Sequence, residues 1–177
     1  IRYAFPLIGS GLAFWGLTTV DKFFLRSIVG FNELGIYAIA VNFAGAAMVF
    51  QAIFSTVWAP TVYKWVEEGV EPQKIKNVID CVTMAVVFIW AFAGMFSWIL
   101  VNILPPEYKS VSCILLLSMS YPLLYTLSEA SGIGVSIMRK TKYTLFATIF
   151  AFIINAIGNW YLIPLYGAKG AAFASAI

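Results

Sequence analysis

The sequence predicts an all-α fold, a polytopic bundle of transmembrane helices, and three observations carry that prediction. The 177-residue chain is 62% hydrophobic and 11% charged, whereas a soluble globular domain has about 45–50% apolar and about 25% charged residues. Its mean hydropathy is +0.89. Its charges are clustered, which leaves residues 3–20, 34–63, 81–106, 110–128 and 143–168 without any. A bilayer core about 30 Å thick is crossed by about 20 helical residues, so each of these stretches suits one crossing. Soluble enzymes, secreted disulfide modules and disordered tails are excluded by this composition.

Each element follows from its breakers. Helix one is expected over residues 3–29, with Pro6 in the opening turn, where a missing N–H costs little. Gly30 ends it, Asn32 offers a cap to the next helix, and Glu33 sits favourably in that helix's first turn. Helix two is expected from about 34 towards 63, with Pro60 kinking or stopping it. Residues 64–80, which include Glu67, Glu68, Gly69, Lys74 and Lys76, read as the one loop of any length. Helix three is expected over about 75–104, closed by Pro105 and Pro106, and helix four over 109–138 with Pro122 as an internal kink. A basic turn of Arg139, Lys140, Thr141 and Lys142 leads to helix five over 143–163, ended by Pro164 and Gly167. The expectation is five spans and the start of a sixth at 170–177, in a single bundle over residues 1–177. Both ends read as cuts within a longer transporter.

The rarer residues narrow the chemistry. There is no histidine, which removes imidazole acid–base chemistry and the commonest metal ligand. Cys81 and Cys113 make no disulfide framework or metal knuckle by themselves and read as small buried hydrophobes. No metalloprotease, nucleophile-elbow or phosphate-loop motif is present. The chain therefore reads as a transporter and not an enzyme, with no catalytic residue, metal or cofactor. A net charge of +3, spread over short loops, gives no nucleic-acid surface. Arg2, Lys64, Lys74, Lys76, Arg139, Lys140 and Lys142 fall on one side of the expected topology, against Lys22, Arg26, Lys109 and Lys169 on the other. The richer side, with the N-terminus, is expected to be cytoplasmic.

Function in such a chain is sought where a polar group is expensive, since a charge at a helix centre costs about 2.5–3.5 kcal/mol on insertion scales. Thr19, Lys22 and Arg26 stand at i, i+3 and i+7 and share a helix face, with Asp21 beside them to neutralise part of the charge. That face suits phosphate or diphosphate oxygens, or snorkels to the headgroups. In helix four, Ser118, Tyr121, Tyr125, Ser128, Glu129, Gly132 and Ser136 form a polar stripe of the kind that lets helices approach closely. Glu129 stands out as a carboxylate with no Lys or Arg within four positions, a candidate proton or cation site. Thr144, Thr148, Asn155 and Asn159 recur on helix five, where the two asparagines can bond to a neighbouring helix or to a sugar. Asn42 and Gln51 are about half a turn out of phase and cannot serve one site together.

Two sets of residues carry a resemblance. The first is Asp21-Lys22-Phe23-Phe24-Leu25, Gly30, Glu33-Leu34-Gly35-Ile36-Tyr37-Ala38 and Trp58-Ala59-Pro60. The second is Pro106-Glu107-Tyr108-Lys109, Arg139-Lys140-Thr141, Asn155, Ile163-Pro164-Leu165-Tyr166-Gly167-Ala168 and Gly170-Ala171-Ala172. In this order they resemble the Wzx-type polysaccharide biosynthesis proteins, the O-antigen and capsule repeat-unit flippases of the MATE-like exporter superfamily. The resemblance implies a second six-helix lobe, in a multi-pass protein of the bacterial inner membrane, serving lipopolysaccharide or capsule biosynthesis. It implies movement of an undecaprenyl-diphosphate-linked oligosaccharide to the outer leaflet by alternating access. The partners it implies are that lipid-linked substrate, membrane lipids, a glycan polymerase and a chain-length regulator. On that reading Lys22 and Arg26 hold the diphosphate, and Asn42, Gln51, Asn155 and Asn159 contact sugar. Asp21 and Glu129 couple an ion. A drug/cation antiporter or a lipid II flippase of the same superfamily is the nearest alternative. A membrane-embedded polymerase or glycosyltransferase would show larger hydrophilic loops.

Overall fold

The computed structural model describes residues 4–103 and 111–176. Those residues form seven helices in chain order: α1 (Ala4–Ile28), α2 (Phe31–Phe43), α3 (Gly45–Glu67), α4 (Pro72–Ile103), α5 (Val111–Ile137), α6 (Thr141–Tyr166) and α7 (Ala168–Ala176). No strand occurs among them. The close of helix three at Pro105-Pro106 and the start of helix four at Lys109 lie outside the described residues, as does Arg2.

Three helices among the described residues are long and apolar enough to cross a membrane: Gly45–Glu67, Pro72–Ile99 and Thr141–Tyr166. The chain is a helical membrane protein. Among the described residues the expected five spans are corrected to three. α1 and α5 have 25 and 27 residues, enough in length, but α1 carries Asp21, Lys22 and Arg26. α5 is continuous and carries Ser118, Ser120, Tyr121, Ser128 and Glu129 along its length.

Helix two is two helices. A single rod over 31–67 would be about 55 Å long at 1.5 Å per residue, well beyond the hydrocarbon thickness. The break falls at Ala44, where the Ala47 N–H turns back to the Ala44 carbonyl at 3.0 Å, ahead of the weak helix former Gly45. α3 then runs past Pro60 to Glu67. It stops at Gly69, in the left-handed region at φ 69°, with the Val70 N–H reaching back to the Trp65 carbonyl at 2.9 Å. Asn32 does not cap α2, which begins at Phe31 after Gly30.

The expected loop 64–80 shrinks to residues 68–71. Pro72 opens α4, and the charges once assigned to loop are the polar face of helix ends. Ile75, Val78 and Ile79 turn inward onto Trp58, Val62 and Ile133, while the Lys74 ammonium lies 4.5 Å from the Trp65 ring centroid. Period 3.6, not polarity, decides this segment. Farther along, α4 shows its apolar side outward: Met84, Phe88, Met95 and Trp98 are exposed, and only 11% of its most apolar window is buried in the bundle. Cys81 lies on that outward side and is exposed, so the expectation of a buried thiol is corrected. An outward surface in lipid suits a small apolar residue as well as a core does. The side chain of Cys113 lies outside the described residues.

The bundle is assembled around α5 and α7. α1 packs chiefly on α6, α4 and α3 pack on α5, and the nine-residue α7 fits among α1, α2, α5 and α6. Ala168, Gly170, Ala171, Ala172 and Ala174 of α7 are all buried. Backbones approach closely there: a Cβ on Gly170 would lie 2.2 Å from the Leu162 carbonyl oxygen of α6.

Gly170→Val is therefore expected to displace α7 and cost at least about 1–3 kcal/mol. Gly132→Ala on α5, where a Cβ meets nothing within 4 Å, should be neutral or gain about 0.5–1 kcal/mol of helix propensity. Thermal unfolding of the two variants in detergent checks the pair, and equal stability would contradict this packing.

Candidate functional site

The polar stripe of α5 faces two cavities. Its C-terminal half, with Tyr125, Ser128, Glu129, Gly132 and Ser136, lines the larger one, of about 630 Å³. The facing walls are Ser10, Gly11 and Phe14 of α1, Ala59 of α3, and Tyr143, Thr144, Ala147 and Thr148 of α6. The Phe14 and Tyr125 rings meet at 5.3 Å between centroids, and Tyr125 stands 6.3 Å from Tyr121. The groove thus combines ring faces with hydroxyls and holds one carboxylate. Glu129 accepts a hydrogen bond from the Ser55 hydroxyl of α3. That partner is 74 positions away in sequence, and nothing near Glu129 in the chain pointed to it.

The N-terminal part of the same stripe, Ser118 and Tyr121, lines a smaller cavity of about 120 Å³ with Thr18, Asp21 and Lys22 of α1, Tyr37 of α2 and Ser175 of α7. Asp21 is 4% exposed. Its Oδ2 accepts from the Tyr37 hydroxyl and, at 3.3 Å, from the Ser175 hydroxyl. Asp21 Oδ1, Ser118 Oγ and Tyr121 OH are buried and have no hydrogen-bond partner among the described residues. Buried polar atoms at a cavity of this size are commonly met by water. A carboxylate among five hydroxyls also offers hard oxygen donors to a small monovalent cation. No cluster of three His, Cys, Asp or Glu residues able to hold a metal ion occurs among the described residues.

The remaining predicted residues scatter. Asp21 turns inward and makes no ion pair with Lys22 or Arg26; the only ion pair among the described residues is Lys64–Glu68 at 3.7 Å. Lys22 is exposed at the mouth of the small cavity, and Arg26 is exposed beside it in sequence, its guanidinium 5.2 Å from the Phe31 ring centroid. Asn155 and Asn159 are buried, at 4% and 0% exposure. Asn155 donates to the Ala174 carbonyl of α7 at 3.2 Å, and Asn159 donates to Asn155 at 2.9 Å. The pair lies between helices with no open face, so its assignment to sugar contact is corrected to helix packing. Asn42 is exposed on α2 and Gln51 half-buried on α3, on either side of the Ala44 break, and neither lines either of these two cavities. The six predicted substrate residues do not form one site.

Sequence reasoning missed Tyr37, Ser175, Ser55, Phe14 and the role of Glu33. Tyr37 lies sixteen residues from Asp21 but on another helix, so no periodicity links them. Glu33 reaches α7, where its Oε2 accepts from the Ala168 N–H at 2.8 Å. A carboxylate at a helix N-terminus satisfies an orphan donor and complements the helix dipole.

Fold and cavities together define the class: a helical membrane protein with a polar groove and a buried carboxylate beside it. No protein-family model matches the chain, and no curated protein or solved structure is detectably similar to it.

Removing the Tyr37 hydroxyl leaves a buried carboxylate with one donor fewer, so Tyr37→Phe is expected to cost about 1–3 kcal/mol. Ser175→Ala, which removes the longer bond, should cost less. Chemical unfolding in lipid bicelles measures both, and a silent Tyr37→Phe would contradict the hydrogen-bonded cluster.

Proposed function

We propose that the chain is part of a Wzx-type flippase of the bacterial inner membrane, carrying an undecaprenyl-diphosphate-linked oligosaccharide to the outer leaflet by alternating access. The observation that carries the reading is the larger groove. Hydroxyls of Ser10, Ser128, Ser136, Thr144 and Thr148 alternate there with the rings of Phe14, Tyr125 and Tyr143. Sugars present hydroxyl edges and apolar ring faces, and a groove of this composition can meet both. A sugar chain cannot cross hydrocarbon bare, because each unpaired hydroxyl costs several kcal/mol. In this scheme the basic side of the chain is cytoplasmic, Lys22 and Arg26 meet the diphosphate near the outer leaflet, and Asp21 serves ion coupling. The glycan polymerase and the chain-length regulator would act on the delivered unit.

One observation favours the antiporter alternative. Among the described residues the only charge lining the larger groove is the Glu129 carboxylate, set among aromatic rings, an arrangement that also suits an organic cation.

The test is deletion of the gene in its host, with assay of surface glycan and of lipid-linked intermediates. Loss of surface polymer, with undecaprenyl-linked units held on the cytoplasmic face, is expected. Unchanged glycan with altered sensitivity to cationic compounds would overturn the flippase reading in favour of the antiporter. In complementation, Tyr125→Ala is expected to lower polymer export about tenfold or more, on the scale of lost aromatic contacts of about 1–2 kcal/mol. On the flippase reading Glu129→Gln, which keeps an acceptor for Ser55, should retain most sugar export; on the antiporter reading it should abolish export of organic cations.

A further inference from the structure

The α5–α6 turn is built in an unusual way. Among the described residues four positions have positive φ: three are glycines, and the fourth is Arg139 at φ 54°. The turn is closed by the Arg139 N–H to the Ser136 carbonyl and the Lys140 N–H to the Val135 carbonyl, both at 3.0 Å. This is the helix end at which glycine is favoured, and a side-chain-bearing residue there costs roughly 1 kcal/mol or more. Arg139, Lys140 and Lys142 are all exposed, and none is ion-paired with a described carboxylate. Ser136, just before the turn, and Tyr143 and Thr144, just after it, line the larger groove. Three unpaired cations therefore stand at one end of a polar groove on a sharply closed turn.

We infer that this turn is a docking site for phosphoryl groups of an amphiphile whose polar head enters the groove, with Arg139 and Lys140 or Lys142 sharing the phosphate oxygens. The inference rests on the flippase reading above and adds a second anionic subsite to it. Lys22 and Arg26 lie at the opposite end of α1 from the groove-lining Ser10 and Gly11. The turn receives the phosphates on entry, and the α1 pair meets them at the other end of the passage. A planar guanidinium on a fixed turn matches phosphate oxygens in two-pronged fashion, and lysines add charge without geometry. The same chemistry could come from the diphosphate of a lipid-linked sugar or from the headgroups of anionic phospholipids.

The test measures binding of undecaprenyl diphosphate and of undecaprenol to the chain in phosphatidylcholine nanodiscs, with and without added phosphatidylglycerol. The wild-type chain is expected to prefer the diphosphate, and R139Q/K140Q/K142Q to lose about ten- to hundredfold of that affinity while undecaprenol binding stays unchanged. Arg139→Gly relieves the backbone strain, so it should fold at least as stably as wild type yet bind the diphosphate several-fold more weakly. Full diphosphate affinity in both variants overturns the turn as a docking site and leaves the flippase reading standing. Loss of the wild-type preference whenever phosphatidylglycerol is present assigns the turn to bulk headgroups and likewise overturns it. A wild-type chain that does not distinguish diphosphate from alcohol in any nanodisc overturns the flippase reading together with this site.

Discussion

The bundle depends on the seating of α7. This nine-residue helix, rich in alanine, has no large side chain able to hold it by burial, and between helices in lipid the hydrophobic effect gives little drive. It is held by close backbone approach and by polar contacts from three other helices. Glu33 of α2 meets its first N–H, Asn155 of α6 meets its Ala174 carbonyl, and its Ser175 meets Asp21 of α1. Each such bond is worth only about 0.6–2 kcal/mol in a membrane. Together they set the relative positions of α1, α2 and α6, and so the walls around α5.

With α7 in place, α5 can be polar along much of its length. Its stripe does not serve close packing between helices, as small and hydroxyl residues in membranes often do. It lines two cavities of different kinds: an open groove of rings and hydroxyls, and a small enclosure around a buried carboxylate. Tyr121 and Tyr125, one helical turn apart, lie between them. Asp21 and Ser175 tie the small enclosure to α7, so movement of α7 would reach the carboxylate directly.

The two acidic groups that line the cavities illustrate how environment separates identical chemistry. Glu129 lies at a groove wall with one hydroxyl partner. Asp21 is nearly enclosed, with two partners on one oxygen and none on the other. Lys22 stands at the mouth of the small cavity that Asp21 lines, without an ion pair between them, while Arg26 is exposed farther along α1 and Arg139, Lys140 and Lys142 lie at the α5–α6 turn. No described carboxylate pairs with any of these five.

The all-helical class, the membrane setting and most helix ends were legible in the sequence, because charge-free length and glycine or proline breakers act locally. The C-terminal end of helix one was placed within a residue, and the α5 stripe was visible in its spacing. The failures share one cause. Polarity made the start of α4 look like loop, although its apolar residues recur at helical period. An unbroken apolar run hid the turn at Ala44, which relates to total length and to packing against α4 and α5. Above all, each decisive partnership joins distant positions: Asp21 with Tyr37 and Ser175, Glu129 with Ser55, Glu33 with Ala168. Local periodicity states which residues share a face, and that much the chain by itself determined. Which faces meet, which of them close over a cavity, and which carboxylate is shut away were decided only when the short α7 drew four helices together.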